Sequence, residues 1–108
     1  MATNTFKNAH GEAPSSTAAA YTVPASTATV VFGGSFSNID GTNEVDLFVT
    51  VVDTSAGTTK FIVKGLPIPI NDTYFLDSKI TLETTDTINI YSTATGDVDY
   101  TLALLEIS

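Results

Sequence analysis

The sequence predicts an all-β domain, an antiparallel β-sandwich or small jelly-roll of seven or eight strands preceded by an extended N-terminal arm. Three observations carry that prediction. Short runs rich in Val, Ile, Thr, Tyr and Phe recur from Ala20 onward; Gly, Pro, Asn and Asp punctuate them; and no segment offers an amphipathic helix of three turns. β-Branched and aromatic side chains suit a pleated, half-buried surface, and the punctuating residues supply the backbone conformations of tight turns.

The first nineteen residues are small, polar and aperiodic, with Gly11, Pro14 and the Ser15-Ser16-Thr17 cluster, and they contain the only histidine, His10. They are expected to form an arm (1–19) ahead of a sandwich domain (20–108), with Phe6 and Lys7 as an apolar anchor and a positive charge for docking on a partner. Strands are expected at Tyr21–Val23 and, after Pro24-Ala25-Ser26, at Ala28–Phe36, where Gly33-Gly34 marks a bulge or a close backbone approach. Past the turn Asp40–Asn43, Val45–Val52 alternates most clearly: Val45, Leu47, Val49 and Val51 point one way, Asp46, Phe48 and Thr50 the other. The turn Asp53–Gly57 leads into Thr58–Lys64, where Phe61 and Val63 alternate with Lys60, Ile62 and Lys64, so the two runs predict a hairpin. Further strands are expected at Tyr74–Phe75, Lys79–Glu83, Thr87–Tyr91 and Val98–Ile107, joined by short turns.

Two strands are apolar on both faces. Phe48 and Val52 lie on the second face of Val45–Val52, and Ala103, Leu105 and Ile107 on that of Val98–Ile107. A free sandwich is mostly polar outward, so Phe48, Leu105 and Ile107 are candidate interface residues of a homo-oligomer.

Composition excludes several classes of function. The chain has no cysteine, which removes disulfides, thiolate catalysis and Cys-ligated metals. Its net charge is −8, with four lysines (Lys7, Lys60, Lys64 and Lys79) against 12 acidic residues and no arginine. A nucleic-acid partner requires clustered cations, and an anionic membrane repels such a chain, so neither partner is expected. Residues 1–10 lack the basic start and apolar centre of a signal peptide, and the longest apolar stretches fall far short of a membrane span. Synthesis in the cytoplasm of a host cell is the expectation.

Catalytic patterns fare no better. One histidine and no cysteine cannot build the usual nucleophile–base pairs, and no G-x-S-x-G elbow, phosphate-binding loop or dinucleotide fingerprint occurs. The acid pairs Asp97/Asp99 and Glu44/Asp46 have the spacing of one strand face but sit beside turns, where Asp is favoured for local hydrogen bonding. Asp40, Asn43, Glu44 and Asp46 offer hard oxygen ligands without matching an EF-hand loop. Lys60 and Lys64 are expected on one side of their strand, as guards against edge pairing. The four tyrosines are spread over four segments, which suits packing rather than a sugar platform. Catalytic residues, metals and cofactors are therefore not expected.

Several segments taken in order, Tyr21–Ala25 (YTVPA), Val49–Gly57 (VTVVDTSAG), Gly65–Pro69 (GLPIP), Thr85–Ile88 (TDTI) and Leu104–Ile107 (LLEI), resemble small virion structural proteins encoded by tailed bacteriophages. The resemblance runs from about Tyr21 to the C-terminus and leaves the arm unmatched. It implies a β-sandwich that coats a capsid as a decoration (cement) protein, often trimeric, in contact with the major capsid protein or other virion proteins. The alternative it implies is a tail- or baseplate-associated module; a carbohydrate- or cell-binding module on a tail appendage is the other class left open. Either way the expected location is the virion.

Overall fold

The computed structural model describes residues 3–108, and all its regular elements are strands. In chain order they are β1 (Asn4–Glu12), β2 (Ala19–Thr22), β3 (Ala28–Asn38), β4 (Val45–Asp53), β5 (Thr58–Ile68), β6 (Thr73–Leu76), β7 (Ile80–Leu82), β8 (Thr87–Ser92) and β9 (Val98–Ile107). Their pairing is nested: β4 with β5, β3 with both β6 and β7, β2 with β8, and β1 with β9, all antiparallel. That is the pairing of one long hairpin whose tip is the Asp53–Gly57 turn. Rolling the hairpin over itself adds the β3–β9 and β4–β8 pairs and gives two sheets, β1-β9-β3-β6 with β7 also on β3 (sheet A), and β2-β8-β4-β5 (sheet B). Two sheets related in this way form a jelly roll.

The core lies between the sheets. Val31, Phe36, Leu102 and Leu104 of sheet A pack toward Leu47, Val49, Ile88 and Ile90 of sheet B, all nearly or fully buried. β4 follows its alternation, with Val45, Leu47 and Val49 inward and Val51 at the margin. β9 does the same with Val98, Leu102 and Leu104, leaving Leu105 and Ile107 on the outer face.

Bulges account for most departures from simple alternation, because one extra residue reverses the faces beyond it. On β5 the extra residues are Ile62 and Gly65, the latter at φ 68°, a conformation glycine adopts without a Cβ penalty. Phe61 and Val63, expected on one face, are consequently split: Val63 enters the core and Phe61 turns out. Lys60 comes opposite Val51 and Lys64 opposite Phe48, so these lysines do not share a face as expected. On β3 the expected bulge is present, with Phe32 as the extra residue. Gly33 there has φ 151°, and a Cβ would lie 2.4 Å from the Leu76 carbonyl oxygen.

The expected arm requires correction. Asn4–Glu12 is an edge strand in unbroken register with β9, and Ala13 is wholly buried, so most of residues 1–19 belongs to the sandwich; Met1 and Ala2 lie outside the described residues. The segment lacks apolar alternation because the face it turns inward, Thr5, Lys7, Ala9 and Gly11, lies at the margin of the sandwich, where Ala9 alone among them packs on the core. Backbone bonds to β9 hold it in place of apolar burial. With this strand the count rises from the expected seven or eight to nine.

Candidate functional site

The outer face of sheet A is the part of the surface that the fold leaves least explained. Registration across the sheet sets Phe6 of β1 beside Leu105 of β9, and Leu105 beside Val30 of β3. Ile107 lies one pair further along, opposite Asn4 and Ala28. The β3 bulge places Phe32 on the same surface, where its ring stacks at 6.3 Å on that of Phe6. Phe75 of β6, opposite Ser35, continues the face to the far edge. Phe6 is 77% exposed and Phe75 is 70% exposed, so these are large apolar side chains with little cover. Ala103, Thr101, Ser35 and Asn8 fill the space between with small or uncharged groups.

Sheet B is finished differently. Phe48 and Tyr91, neighbours across β4 and β8, stack at 4.8 Å with planes 2° apart, and each is only partly exposed. Phe61 is more open, but the Lys64 ammonium sits 5.2 Å from its ring centroid. Two of the three rings of this face therefore pack on each other within the chain.

A polar seam joins the sheets at the margin beside β1. The Tyr21 hydroxyl of β2 donates to Glu106 Oε2 of β9 at 2.5 Å and lies 2.8 Å from Thr29 Oγ1 of β3, while Lys7 Nζ of β1 is 3.1 Å from Glu106 Oε1. Burial first, and then the bond to the Glu106 carboxylate, push the Tyr21 hydroxyl up to about 12. The donated Tyr21 proton, and after it Lys7, hold Glu106 below the usual glutamate range against the opposing effect of desolvation. Four strands from both sheets therefore meet in the seam: Tyr21 of β2 and Lys7 of β1 hold the Glu106 carboxylate, on the inward side of β9 in line with Leu102 and Leu104, and Thr29 of β3 adjoins the Tyr21 hydroxyl.

The remaining polar groups are used in turns. Asp86, buried, accepts from the backbone N–H groups of Thr54 and Glu83 and so ties the β4–β5 turn to the β7–β8 turn. Its carboxylate converges with those of Asp53 and Glu83, beside an open cleft of about 530 Å³ lined mainly by hydroxyl-bearing residues and Glu83. Asp53 in turn accepts from Ser55 Oγ and the Ala56 N–H. In the loop considered for calcium, Asp40 accepts from the Thr42 N–H and the Asn43 side chain, and the Asp46 N–H donates to Thr93 Oγ1. The Thr42 bond leads in holding Asp40 low, whereas desolvation and then the Asp40 charge raise Asp97, so Asp97 is coupled to Asp40 across two loops. His10 lies on the outer side of β1, with Nδ1 3.0 Å from Asn8 Oδ1.

Of the residues singled out from sequence, the fold brings Phe6, Leu105 and Ile107 onto one surface. Phe48 is on the opposite side of the molecule, stacked on Tyr91. Lys7 pairs with Glu106 at 3.1 Å while its side chain stays half exposed. Sequence reasoning missed Phe32, Phe75 and the seam. The period-two pattern of β9 does contain one signal for the seam: an acid, Glu106, on the face otherwise occupied by Val98, Leu102 and Leu104.

The double-sheet roll assigns the chain to the jelly-roll class, an architecture found in viral capsid and lectin domains. Neither a protein-family model nor a curated protein matches the chain. Solved structures do match its fold. A pentameric capsid protein isolated from metagenomic phage sequences is 16% identical, with a TM-score of 0.53, over 90% of this chain and 59% of that one. The infectious bursal disease virus VP2 subviral particle is 10% identical with a TM-score of 0.50, over 98% of this chain and 32% of that one. A structure of the Gx strain of the same virus is 11% identical with a TM-score of 0.52, over 99% and 33%. The chain thus spans less than two thirds of each neighbour's length, and at these identities the likeness is one of fold.

Proposed function

We propose that the chain is a non-enzymatic structural protein of a virion, carried on the capsid as a decoration (cement) protein. The observation that carries this reading is the outer face of sheet A, where Phe6, Phe32, Leu105, Ile107 and Phe75 form an apolar surface on a jelly roll whose core is already complete. Exposed apolar patches of this kind, bordered by polar residues, are the usual mark of a protein–protein contact. The capsid proteins among its structural neighbours support the setting, and the resemblance to small phage virion proteins supports the role. The Asp40, Asp53 and Asp86 carboxylates accept hydrogen bonds within turns, Asp97 contacts Asp40 and Glu106 belongs to the seam, which supports a structural role.

In this reading sheet A seats on the major capsid protein or another virion protein, and sheet B faces away. Many weak contacts repeated over a shell sum to a large stabilisation through avidity. Assembly with virion proteins and with its own copies belongs to the proposal. The three-fold order implied by the resemblance does not, since the assembled phage neighbour is pentameric. The test is coating of particles that lack the protein by wild type and by Leu105→Asp and Ile107→Asp variants. A charge forced into an apolar contact is costly, so both variants should coat weakly while retaining the wild-type melting temperature. Undiminished coating by both would remove the assigned face, and a copy number of only a few per virion would place the protein on the tail.

A further inference from the structure

Each edge of a sheet presents unpaired peptide groups, and β-proteins blunt such edges with short strands, bulges, charges and proline. Three of the four edges here are blunted. β2 is four residues long with a register shift between Ala19 and Tyr21. β5 carries two bulges together with Lys60, Lys64 and Pro67. The edge beside β3 is divided between β6 and β7, with Asp77, Ser78 and Lys79 between them. β1 is the unbroken one: its nine residues keep one register with β9 from Asn4 to Glu12, without bulge or proline, and Lys7 and Glu12 are its only formal charges.

The phase of its hydrogen bonds can be read from its ends. Thr3 and Ser108 exchange both backbone bonds, at 2.7 and 3.0 Å, and the Ala13 N–H donates to the Val98 carbonyl at 2.8 Å. In an antiparallel ladder such pairs recur at every second residue. Thr5, Lys7, Ala9 and Gly11 therefore direct their peptide groups to β9, while Asn4, Phe6, Asn8, His10 and Glu12 direct theirs to the open edge.

We propose that this edge is a strand-addition site for a second copy of the chain, with the two β1 strands pairing antiparallel about a two-fold axis at Asn8. The strand is complementary to itself in this register. Asn4 meets Glu12 of the other copy, Phe6 meets His10, and Asn8 meets Asn8, so every peptide group on the open edge finds a partner. Between them Thr5 faces Gly11 and Lys7 faces Ala9, and no like charges stand opposite. Moving the centre to residue 7 sets Lys7 against Lys7 and leaves Glu12 outside the ladder. An inward lysine on an edge strand ordinarily deters pairing. Here its charge is matched by Glu106 at 3.1 Å, and the residue it would face is a small alanine. A ring of odd order would need β1 to pair with a different edge, and the other edges are blunted. The paired sheets would join two copies of the Phe6 face side by side. The inference rests on the edge alone and does not require the virion reading.

Sedimentation equilibrium and amide hydrogen exchange on the full chain, with Asn8→Pro and His10→Pro variants, test it. Wild type should be a dimer in which the amides of Asn4, Phe6, Asn8, His10 and Glu12 are protected alongside their odd-numbered neighbours. Proline is tolerated on an edge where the lost N–H faces solvent, so both variants should keep the wild-type circular dichroism and melting temperature yet associate at least about tenfold more weakly. A monomeric wild type at high concentration, an oligomer of odd order, or a dimer whose even-numbered β1 amides exchange freely would overturn the proposal. Folded proline variants that dimerise like wild type would do the same. Should either proline unfold the chain, the alternation of protection in wild type still decides. Protection that appears only when particle proteins are added assigns the edge to their strand and rejects the second copy.

Discussion

The two sheets are finished alike on the inside and differently on the outside. Inner residues of both are closely buried, and each sheet contributes a comparable set of branched and aromatic side chains to the core. On the outer side of sheet B the Phe48 and Tyr91 rings cover each other, and Phe61, though 48% exposed, has the Lys64 ammonium 5.2 Å from its ring centroid. On the outer side of sheet A, Phe6 and Phe75 stand open. The inner equality is what a stable jelly roll demands; the outer inequality is not required for folding. It separates residues that hold the domain together from residues available to hold it to something else.

That comparison can be broken at its base by equal core deletions. Leu102→Ala in sheet A and Ile90→Ala in sheet B should each cost roughly 2–5 kcal/mol in chemical denaturation. A mild effect at one and a severe effect at the other would mean that the sheets are not equivalent supports.

A smaller effect sharpens the outer contrast. Phe48→Ala removes a stacked, partly buried ring and should cost about 1–2 kcal/mol. Phe6→Ala, which removes a mostly exposed ring, should stay within about 0.5 kcal/mol of wild type in the monomer. Equal losses would erase the distinction between the faces.

How much of this was legible in the sequence depended on whether alternation survived. β4 and β9 keep strict period two through their apolar positions, so their inner and outer faces were assigned correctly, Leu105 and Ile107 included. β1 offered no alternation, because as an edge strand it turns Lys7, Ala9 and Gly11 toward the margin, and it read as an arm. Phe61 and Lys60 were assigned to the wrong faces because the Ile62 bulge reverses the strand, and no local residue type announces that bulge. Phe32 owes its exposure to a bulge that Gly33-Gly34 did signal, though not which residue it would displace. The Lys7–Glu106 pair joins residues near opposite termini and depends on the β1–β9 register, which strand grammar does not supply.

The seam gives a pH signature with a definite sign. Tyr21 keeps its proton in the folded chain to about 12 against an ordinary 10.0, so its contribution is full below pH 10 and is lost as pH rises through about 12. Subtracting the stability of Tyr21→Phe from that of wild type isolates this loss from the titration of the lysines, and a flat difference across the window would count against the seam. Glu106 is held low, so its contribution is full above the usual glutamate range and is lost as pH falls through its folded value. Glu106→Gln should be less sensitive than wild type over that acid window, as followed by thermal melts.

The claim that sheet A is the contact face is tested most directly by hydroxyl-radical footprinting of the free chain and of the chain on its particle. The account predicts that Phe6, Phe32 and Phe75 lose reactivity on the particle while Phe61 on sheet B keeps it. Retained reactivity at all three, or protection of Phe61 in their place, would contradict it.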